Sequence, residues 1–402
     1  GVEKAAPRDA VETRLRDLWE AVLEVRPIGI DDNFFDLGGH SLLAMRLLAR
    51  IESTFGKKLS VASIFQHPTV ARLAAVLREN KRPEANSAVV EIQAKGSKPP
   101  LFLVHGVGGG MFWGYGNLAR HLGEDQPVYA LRSRGLDGQQ EFERIEDMAA
   151  HYLAEVRKFQ PQGPYYLGGY CFGGTVAYEM ARQLHAQGEP VAWLALFNTN
   201  PPNSSYTRVR WTPVFAVKFF INFTKWASYT LHWTPEQRRD FVRWKRGLLL
   251  KRLRRWSHRI DPDSAQTHIG DLVDLSQQPA EERALWEAHI RALLAYHPRP
   301  YAGRVTLFRS PVHVLLCSYD PQFGWGDFVP GGVEVQIVRG AHETIMQEPH
   351  VRELAVKVQH CLEAARESRP AGPSTPVPPP RPKAHPRGGP LFLAARLKLK
   401  VA

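Results

Sequence analysis

The chain has 402 residues, of which 44% are hydrophobic, so wholesale disorder is excluded and two or three domains are expected. It contains no long apolar run and no secretory signal at its start, which predicts a cytoplasmic protein that does not enter a membrane. The net charge of +12 is concentrated in residues 236–260 and 369–402, which argues against a general nucleic-acid-binding surface.

Residues 1–80 are predicted to form a small all-α bundle. Apolar residues at helical spacing indicate its first helix: Leu15, Leu18, Trp19, Val22 and Leu23. A second helix is expected to begin at Ser41, and a third is expected from about Thr69 to Glu79. The chain starts at Gly1 rather than at a methionine, which suggests a segment of a longer protein.

Residues 81–98 are expected to be a linker that leads into a first strand region, and residues 99–368 a domain of a different kind. Short apolar runs alternate there with helical patterns, which predicts a mostly parallel sheet with helices on both faces. The runs predicted to be strands are residues 101–104, 128–131, 165–167, 193–197, 312–317 and 333–338.

Two segments depart from this alternation. From about residue 201 to 298 the strands give way to Trp-rich helical sequence, which we expect to be a helical lid inserted into the sheet domain. Residues 369–402 are proline-rich and basic, which favours a spacer followed by a tail without fixed structure.

The loop that ends at Ser41 contains Asp36, Gly38, Gly39 and His40. A serine in this place can serve simply as a helix N-cap. The whole pattern, however, resembles the phosphopantetheine attachment sequence of peptidyl carrier domains. The resemblance implies a 4′-phosphopantetheine group joined to Ser41 by a phosphodiester and added by a phosphopantetheinyl transferase. The start of a helix suits a phosphate because its backbone N–H groups are unpaired.

The three cysteines are too far apart to indicate a disulfide framework or a metal site. Cys317 and Cys361 lie in apolar patterns and are interpreted as core residues. Cys171 stands midway between Gly169 and Gly173, after a predicted strand and before a predicted helix. This is the pattern of a nucleophile elbow with cysteine in place of serine. Small residues two positions before and after the nucleophile prevent the strand and the helix from colliding.

Residues 99–368 resemble the type I thioesterases of nonribosomal peptide synthetases, which have the α/β-hydrolase fold. Besides the elbow, the resemblance rests on the loop of residues 103–109, Leu-Val-His-Gly-Val-Gly-Gly. It implies that Cys171 is the nucleophile and that the backbone N–H groups of Val107 and Phe172 form an oxyanion hole. The alternative is that the glycines of this loop only make a tight turn.

Residues 340–349 match the histidine loop of the same family, which implies that His342 is the general base. The family's acid usually ends the strand after the nucleophile's helix, and Asn198 holds that position here. An amide can orient an imidazole without a charge, which a thiolate–imidazolium pair tolerates, as in Cys-His-Asn proteases. Asp320, predicted to follow a later strand, is the competing third member, and we favour Asn198.

The resemblance implies the terminal carrier and thioesterase of a synthetase, supplied by upstream modules. The peptidyl chain would pass from Ser41 to Cys171 as a second thioester, and this retained activation favours release by intramolecular cyclisation. Cysteine-bearing relatives include domains that form β-lactone or β-lactam products, so a four-membered, monobactam-type ring is one hypothesis. The basic lid residues Arg243, Arg246 and Arg252 indicate an anionic substrate or, alternatively, a solvated face or a surface for other synthetase domains.

Other functions stay open at this point. Release by hydrolysis or by macrocyclisation would use the same residues. An editing thioesterase is disfavoured by the fusion to a carrier and by the long lid. A catalytically silent docking module is conceivable because Asn198 replaces the acid, but such a module would not need a reactive Cys171.

Overall fold

The structure is a computed structural model that describes most of the chain. The described residues are 4–35, 37–39, 41–57, 59, 63–64, 67–78, 88–137, 139–207, 212–231, 239, 280–313, 317–342 and 344–367. None of the helices among them combines the length and the apolar character needed to cross a bilayer.

The N-terminal part is helical, as predicted. Its helices are α1 (Ala10–Leu23), α2 (Ser41–Phe55) and α3 (Val70–Arg78). Asp9 caps α1, because one of its carboxylate oxygens accepts the N–H groups of Val11 and Glu12 at 2.9 Å each. Apolar side chains from the three helices and the connecting loops form one core, which includes Leu15, Trp19, Phe34, Leu47, Ile51 and Leu73.

The second part contains a seven-stranded sheet in the described region, with the strand order β1-β3-β2-β4-β5-β6-β7. The strands are β1 (Val89–Gln93), β2 (Leu101–Val104), β3 (Val128–Leu131), β4 (Tyr165–Tyr170), β5 (Val191–Phe197), β6 (Val305–Arg309) and β7 (Val333–Ile337). Only β1 pairs antiparallel, at one edge, and the other neighbouring pairs are parallel. The carboxyl ends of β2 and β4–β7 therefore meet at one edge of the sheet.

Helices cover both faces of this sheet. They are α4 (Phe112–Leu122), α5 (Ile145–Phe159), α6 (Phe172–Ala186) and α9 (His350–Glu367). One buried apolar cluster lies between the sheet and α5 with α6, and a second lies between the sheet and α4 with α9. The predicted fold class, an all-α bundle followed by an α/β-hydrolase domain, is confirmed.

Two helices of the predicted lid region are described, α7 (Pro213–Leu231) and α8 (Ala280–Ala295). Most of the intervening sequence, including Arg243, Arg246 and Arg252, lies outside the described residues, as does the basic tail of residues 369–402.

One strand prediction is not matched by the residues that the structure describes, and residues 314–316 lie outside them. The described residues of the run 312–317, which are Val312, His313 and Cys317, lie outside any strand, and the strand in this part of the chain is β6. All five residues of β6 are buried between β5 and β7. Cys317 is fully buried although it lies outside any strand. Burial alone does not distinguish a strand residue from a loop residue.

Candidate active site

Cys171 lies at the turn between β4 and α6 with φ 52° and ψ −115°. This is a strained conformation for a residue with a side chain. Its N–H donates to the carbonyl of Phe197 at 2.9 Å, which joins the turn to the end of β5. The turn is also tightly packed. A Cβ on Gly169 would lie 2.2 Å from the carbonyl of Gly173, and one on Gly173 would lie 2.3 Å from the carbonyl oxygen of Val104. A side chain at Gly169 or Gly173 would therefore collide with the backbone of the turn or of the neighbouring strand, as the sequence pattern predicts.

Asn198 follows β5 directly and is buried beside the same edge of the sheet. Its N–H donates to the carbonyl of Phe308 at 2.7 Å, and its Oδ1 accepts the N–H of Ser310 at 2.8 Å. Its Nδ2 is buried without a hydrogen-bond partner among the described residues. The amide is therefore fixed in orientation, because the Ser310 N–H requires an acceptor, and Oδ1 retains a second lone pair.

His342 lies in the loop after β7 and is half-buried. The hydroxyl of Tyr170, the residue before Cys171, donates to the backbone carbonyl of His342, and the two rings are 4.9 Å apart. The end of β4 thus holds both the elbow and the histidine loop. Neither Asn198 nor Asp320 makes a hydrogen bond to His342 within the described structure.

Burial lowers the pKa of His342 to about 4. With no described carboxylate beside it, this imidazole is neutral at pH 7. A neutral imidazole can accept a proton but does not form a resting ion pair. The preformed thiolate–imidazolium pair assumed from the sequence is therefore not favoured, and general-base removal of the Cys171 proton fits better.

Asp320 lies in a loop, and the nearest described strand before it is β6, which ends at Arg309. Its carboxylate accepts hydrogen bonds within that loop. Oδ1 accepts the N–H of Gln322 at 3.2 Å and Oδ2 that of Gly324 at 2.7 Å. Asp320 stays a prediction as the competing third member.

Val107 lies in the turn after β2, and β2 pairs with β4. Three N–H groups of this turn are occupied: Gly106 donates to Gly110, Gly109 to Gly106, and Gly108 to Nδ1 of His289. No described residue accepts a hydrogen bond from the Val107 N–H. Within the described structure, the turn therefore leaves the Val107 N–H, the donor implied for the oxyanion hole, available beyond the end of β2, the strand that pairs with β4.

The predicted attachment residue Ser41 is the first residue of α2. The glycines before it have distinct roles. Gly38 has φ +91°, which few other residues adopt, and a Cβ on Gly39 would overlap the ring of Phe34 at 2.2 Å. Asp36 and His40 lie outside the described residues.

Sequence reasoning missed two buried groups that support the site. The hydroxyl of Tyr115 on α4 donates to the carbonyl of Val104 at 2.5 Å and accepts the N–H of Tyr170 at 3.0 Å, so it connects β2 with β4. His289 on α8 reaches the Gly108 N–H at 3.0 Å. Both contacts join residues far apart in the chain, and no local pattern indicates them.

Comparisons with known proteins agree with this architecture. The phosphopantetheine attachment site family matches residues 13–77, and the thioesterase domain family matches residues 99–213. Chondramide synthase cmdD of Chondromyces crocatus is 33% identical over 93% of this chain, and a dimodular nonribosomal peptide synthase of Bacillus subtilis is 32% identical over 88%. This chain spans only 10% and 14% of the length of these two relatives.

A solved structure is also similar. The four-domain nonribosomal peptide synthetase holo-AB3403, bound to AMP and glycine, matches 90% of this chain with 32% identity and a TM-score of 0.50, and 26% of that protein is covered. The carrier family bears 4′-phosphopantetheine on a serine. Residues 13–77 therefore match a phosphopantetheine carrier domain and residues 99–213 a thioesterase domain of the α/β-hydrolase type, and most of the chain is similar to part of these nonribosomal peptide synthetases.

Proposed function

We propose that this chain releases a peptide that its own carrier domain delivers. The acyl group passes from 4′-phosphopantetheine on Ser41 to Cys171 and leaves by intramolecular cyclisation. The observation that carries this proposal is the backbone of Cys171, whose φ of 52° and ψ of −115° hold a thiol-bearing residue at the strained turn between β4 and α6. A strand–turn–helix of this kind presents a nucleophile at the top of an α/β-hydrolase sheet.

Transfer onto the enzyme is a thioester exchange. The sulfur of Cys171 attacks the carbonyl carbon, a new C–S bond forms, and the bond to the pantetheine sulfur breaks. His342 takes the proton of Cys171 and gives it to the departing pantetheine thiol, a role that suits an imidazole that is neutral at rest. The N–H groups of Val107 and Phe172 stabilise the oxyanion. Asn198 orients His342 through its Oδ1, which can accept a second hydrogen bond.

Release follows when a nucleophile within the peptide attacks the acyl group on Cys171. Its proton passes through His342 to the Cys171 sulfur, so the product has the composition of the linear acid minus one water. A thioester is more activated than the oxoester that serine would form, which suits a weak internal nucleophile. An amide nitrogen that closes a β-lactam is the most demanding case of this kind.

The position of Phe35 supports delivery in cis. This side chain lies six residues before Ser41, and it packs against the same buried cluster of the thioesterase domain as Met111 and Cys171. It also packs against the carrier core. We infer that upstream synthetase modules load the carrier after a phosphopantetheinyl transferase has modified Ser41. The arm would then swing from a loop that already touches the thioesterase.

The mass of the released product tests this proposal. The protein is modified and loaded in one step with candidate peptidyl-pantetheine groups, and the products of the wild type and of Cys171→Ala are compared. A product lighter than the linear acid by one water, absent from Cys171→Ala, is expected. A product with the mass of the free acid would show release by hydrolysis and would contradict the proposed cyclisation. Slow iodoacetamide labelling of Cys171 with no product would favour a silent docking module instead.

A further inference from the structure

The helix α8 lies directly on the turn that contains Val107. A Cβ on Gly108 would be 2.1 Å from Nε1 of Trp286, so only glycine fits beneath this helix. One turn further along α8, His289 accepts the Gly108 N–H on its Nδ1 at 3.0 Å. The helix through which the chain returns from the lid region therefore covers the turn and hydrogen-bonds to it.

The acceptor role of Nδ1 determines the tautomer of His289. A nitrogen that accepts a hydrogen bond carries no proton, so the neutral ring bears its proton on Nε2. That Nε2 lies 3.3 Å from Oε2 of Glu141, and both side chains are buried. Although the alignment falls short of a hydrogen bond, a carboxylate at this distance stabilises the Nε2–H tautomer.

Glu141 is itself firmly held. It accepts hydrogen bonds from the Ser133 hydroxyl, from the Gly135 N–H at 3.2 Å and from the Phe142 N–H at 2.9 Å. Burial alone raises the pKa of Glu141, but its interactions with His289 and Ser133 outweigh burial and lower the pKa to about 2. Glu141 is therefore negatively charged at neutral pH.

His289 also contacts the other half of the proposed oxyanion hole. Its ring stacks on Phe172 with centroids 4.6 Å apart and an interplanar angle of 23°. It also stacks on His105 with ring centroids 5.0 Å apart, and His105 forms a hydrogen bond with the Gly106 carbonyl at 2.6 Å. One buried ring thus touches both segments whose N–H groups would face the oxyanion.

We propose that His289, oriented by Glu141, is a positioning residue for the oxyanion hole. By occupying the Gly108 N–H it fixes the turn so that the Val107 N–H, together with that of Phe172, faces the reacting carbonyl. This inference rests on the proposed function, because it needs acyl transfer to Cys171. The oxyanion is formed only during reaction, so His289 acts on the rate of the chemical step and not on substrate binding.

Three variants test this role. His289→Phe keeps the stacking ring and loses the acceptor for Gly108. His289→Gln keeps one acceptor and one donor. Tyr296→Phe, a matched control on the same segment, removes only the hydrogen bond from the Tyr296 hydroxyl to Glu179 on α6, which measures 2.7 Å. For each variant, kcat and KM for an N-acetylcysteamine peptidyl thioester are measured, together with the melting temperature and the rate of iodoacetamide labelling of Cys171.

His289→Phe is expected to lower kcat by roughly 10- to 100-fold, somewhat less than deleting an oxyanion donor, with KM within about twofold. Labelling of Cys171 should be unchanged, since alkylation forms no oxyanion. His289→Gln should recover most of kcat, and Tyr296→Phe should keep it. A folded His289→Phe with wild-type kcat would overturn the proposal. If His289→Phe does not fold, Glu141→Gln decides: a several-fold loss of kcat supports the proposal, and an unchanged kcat overturns it.

A parallel measurement on Cys171→Ala distinguishes failure of the proposed function from failure of the positioning role of His289. Undiminished turnover in Cys171→Ala would remove the proposed function itself, whatever His289 does. Turnover lost in Cys171→Ala but normal in His289→Phe would remove only the positioning role.

Discussion

The N–H of Cys171 donates a 2.9 Å hydrogen bond to the carbonyl of Phe197, so the turn after β4 is fastened to the end of β5. Asn198 is the next residue along that strand, and its side chain is fixed by the Ser310 N–H at the end of β6. The ends of β4, β5 and β6 are therefore joined by hydrogen bonds at the elbow. The Tyr170 hydroxyl joins the same region to the His342 loop.

A methyl group at the elbow should disable the protein. Gly173→Ala places a Cβ 2.3 Å from the Val104 carbonyl oxygen and 2.4 Å from that of His105, and neither backbone atom can move freely. We expect a loss of several kcal/mol of stability, or inactivity if the turn opens to accommodate the methyl. Gly326→Ala is the control, because its Cβ would meet only the flexible end of Gln322. A Gly173→Ala protein with wild-type melting temperature and turnover would show that the elbow is less crowded than described.

The acid limb of the pH–rate profile should report His342. Its neutral form accepts the Cys171 proton, so acyl transfer should fall as the pH decreases through about 4. Asn198→Asp places a negative charge where the unpartnered Nδ2 now lies, and a carboxylate near an imidazole raises its pKa. We therefore predict that Asn198→Asp moves this limb to higher pH, measured by single-turnover acylation. Asp320→Asn should leave it in place. If Asp320→Asn moved the acid limb and Asn198→Asp left it in place, Asp320 would be the third member.

Acid should also destabilise the fold through its buried histidines. Burial lowers the pKa of His342 to about 4 and lowers the pKa of His105 and of His313 to about 3, with Arg309 and two lysines adding to the effect at His313. Each ring binds its proton more readily in the unfolded chain, so its stabilising contribution is complete above about pH 6.5 and is lost as the pH falls towards the folded value. Between pH 7.5 and 5.0 this amounts to at most about 2 kcal/mol per ring.

His313→Gln isolates one of these contributions. The difference in unfolding free energy between pH 7.5 and 5.0, measured by urea titration, should be smaller in this variant than in the wild type. An equal difference would mean that His313 titrates normally in the folded protein.

The contact of Phe35 with the thioesterase should matter only for delivery from the tethered carrier. Phe35→Ala is expected to slow transfer from the loaded carrier about tenfold, which corresponds to the loss of one small apolar contact. Turnover of a free N-acetylcysteamine thioester should not change. Leu37→Ala is the matched control, since Leu37 packs against the carrier core and, among the described residues, not against the cluster of the thioesterase domain that Phe35 contacts. Equal losses in both variants, or a loss with the free thioester, would contradict a docking role.

The sequence predicts best those features that are determined by residues close together in the chain. The glycines around Cys171 and the apolar run that corresponds to β4 predict a strand–turn–helix at this position, because these features depend on neighbours within a few residues. The family resemblance and the apolar run 193–197 together predict Asn198 at the end of β5, and its role stays a prediction.

Features that depend on distant contacts were not predictable in this way. The run 312–317 is as apolar as a strand, yet β6 precedes it, because pairing with β5 and β7 selects residues 305–309. His289 and Gly108 are separated by 181 positions, and nothing in either neighbourhood signals that they meet.

The most direct test of acyl transfer from Ser41 to Cys171 is to locate the acyl group on the enzyme during turnover. Protein loaded through a phosphopantetheinyl transferase is quenched in acid within the first turnover, digested and analysed by mass spectrometry. We predict a transient acyl mass on the peptide containing Cys171 that forms as the acyl group on Ser41 disappears and decays as product forms. In Cys171→Ala the acyl group should stay on Ser41. Product formation with no acyl group ever detected on Cys171, or undiminished in Cys171→Ala, would contradict the account.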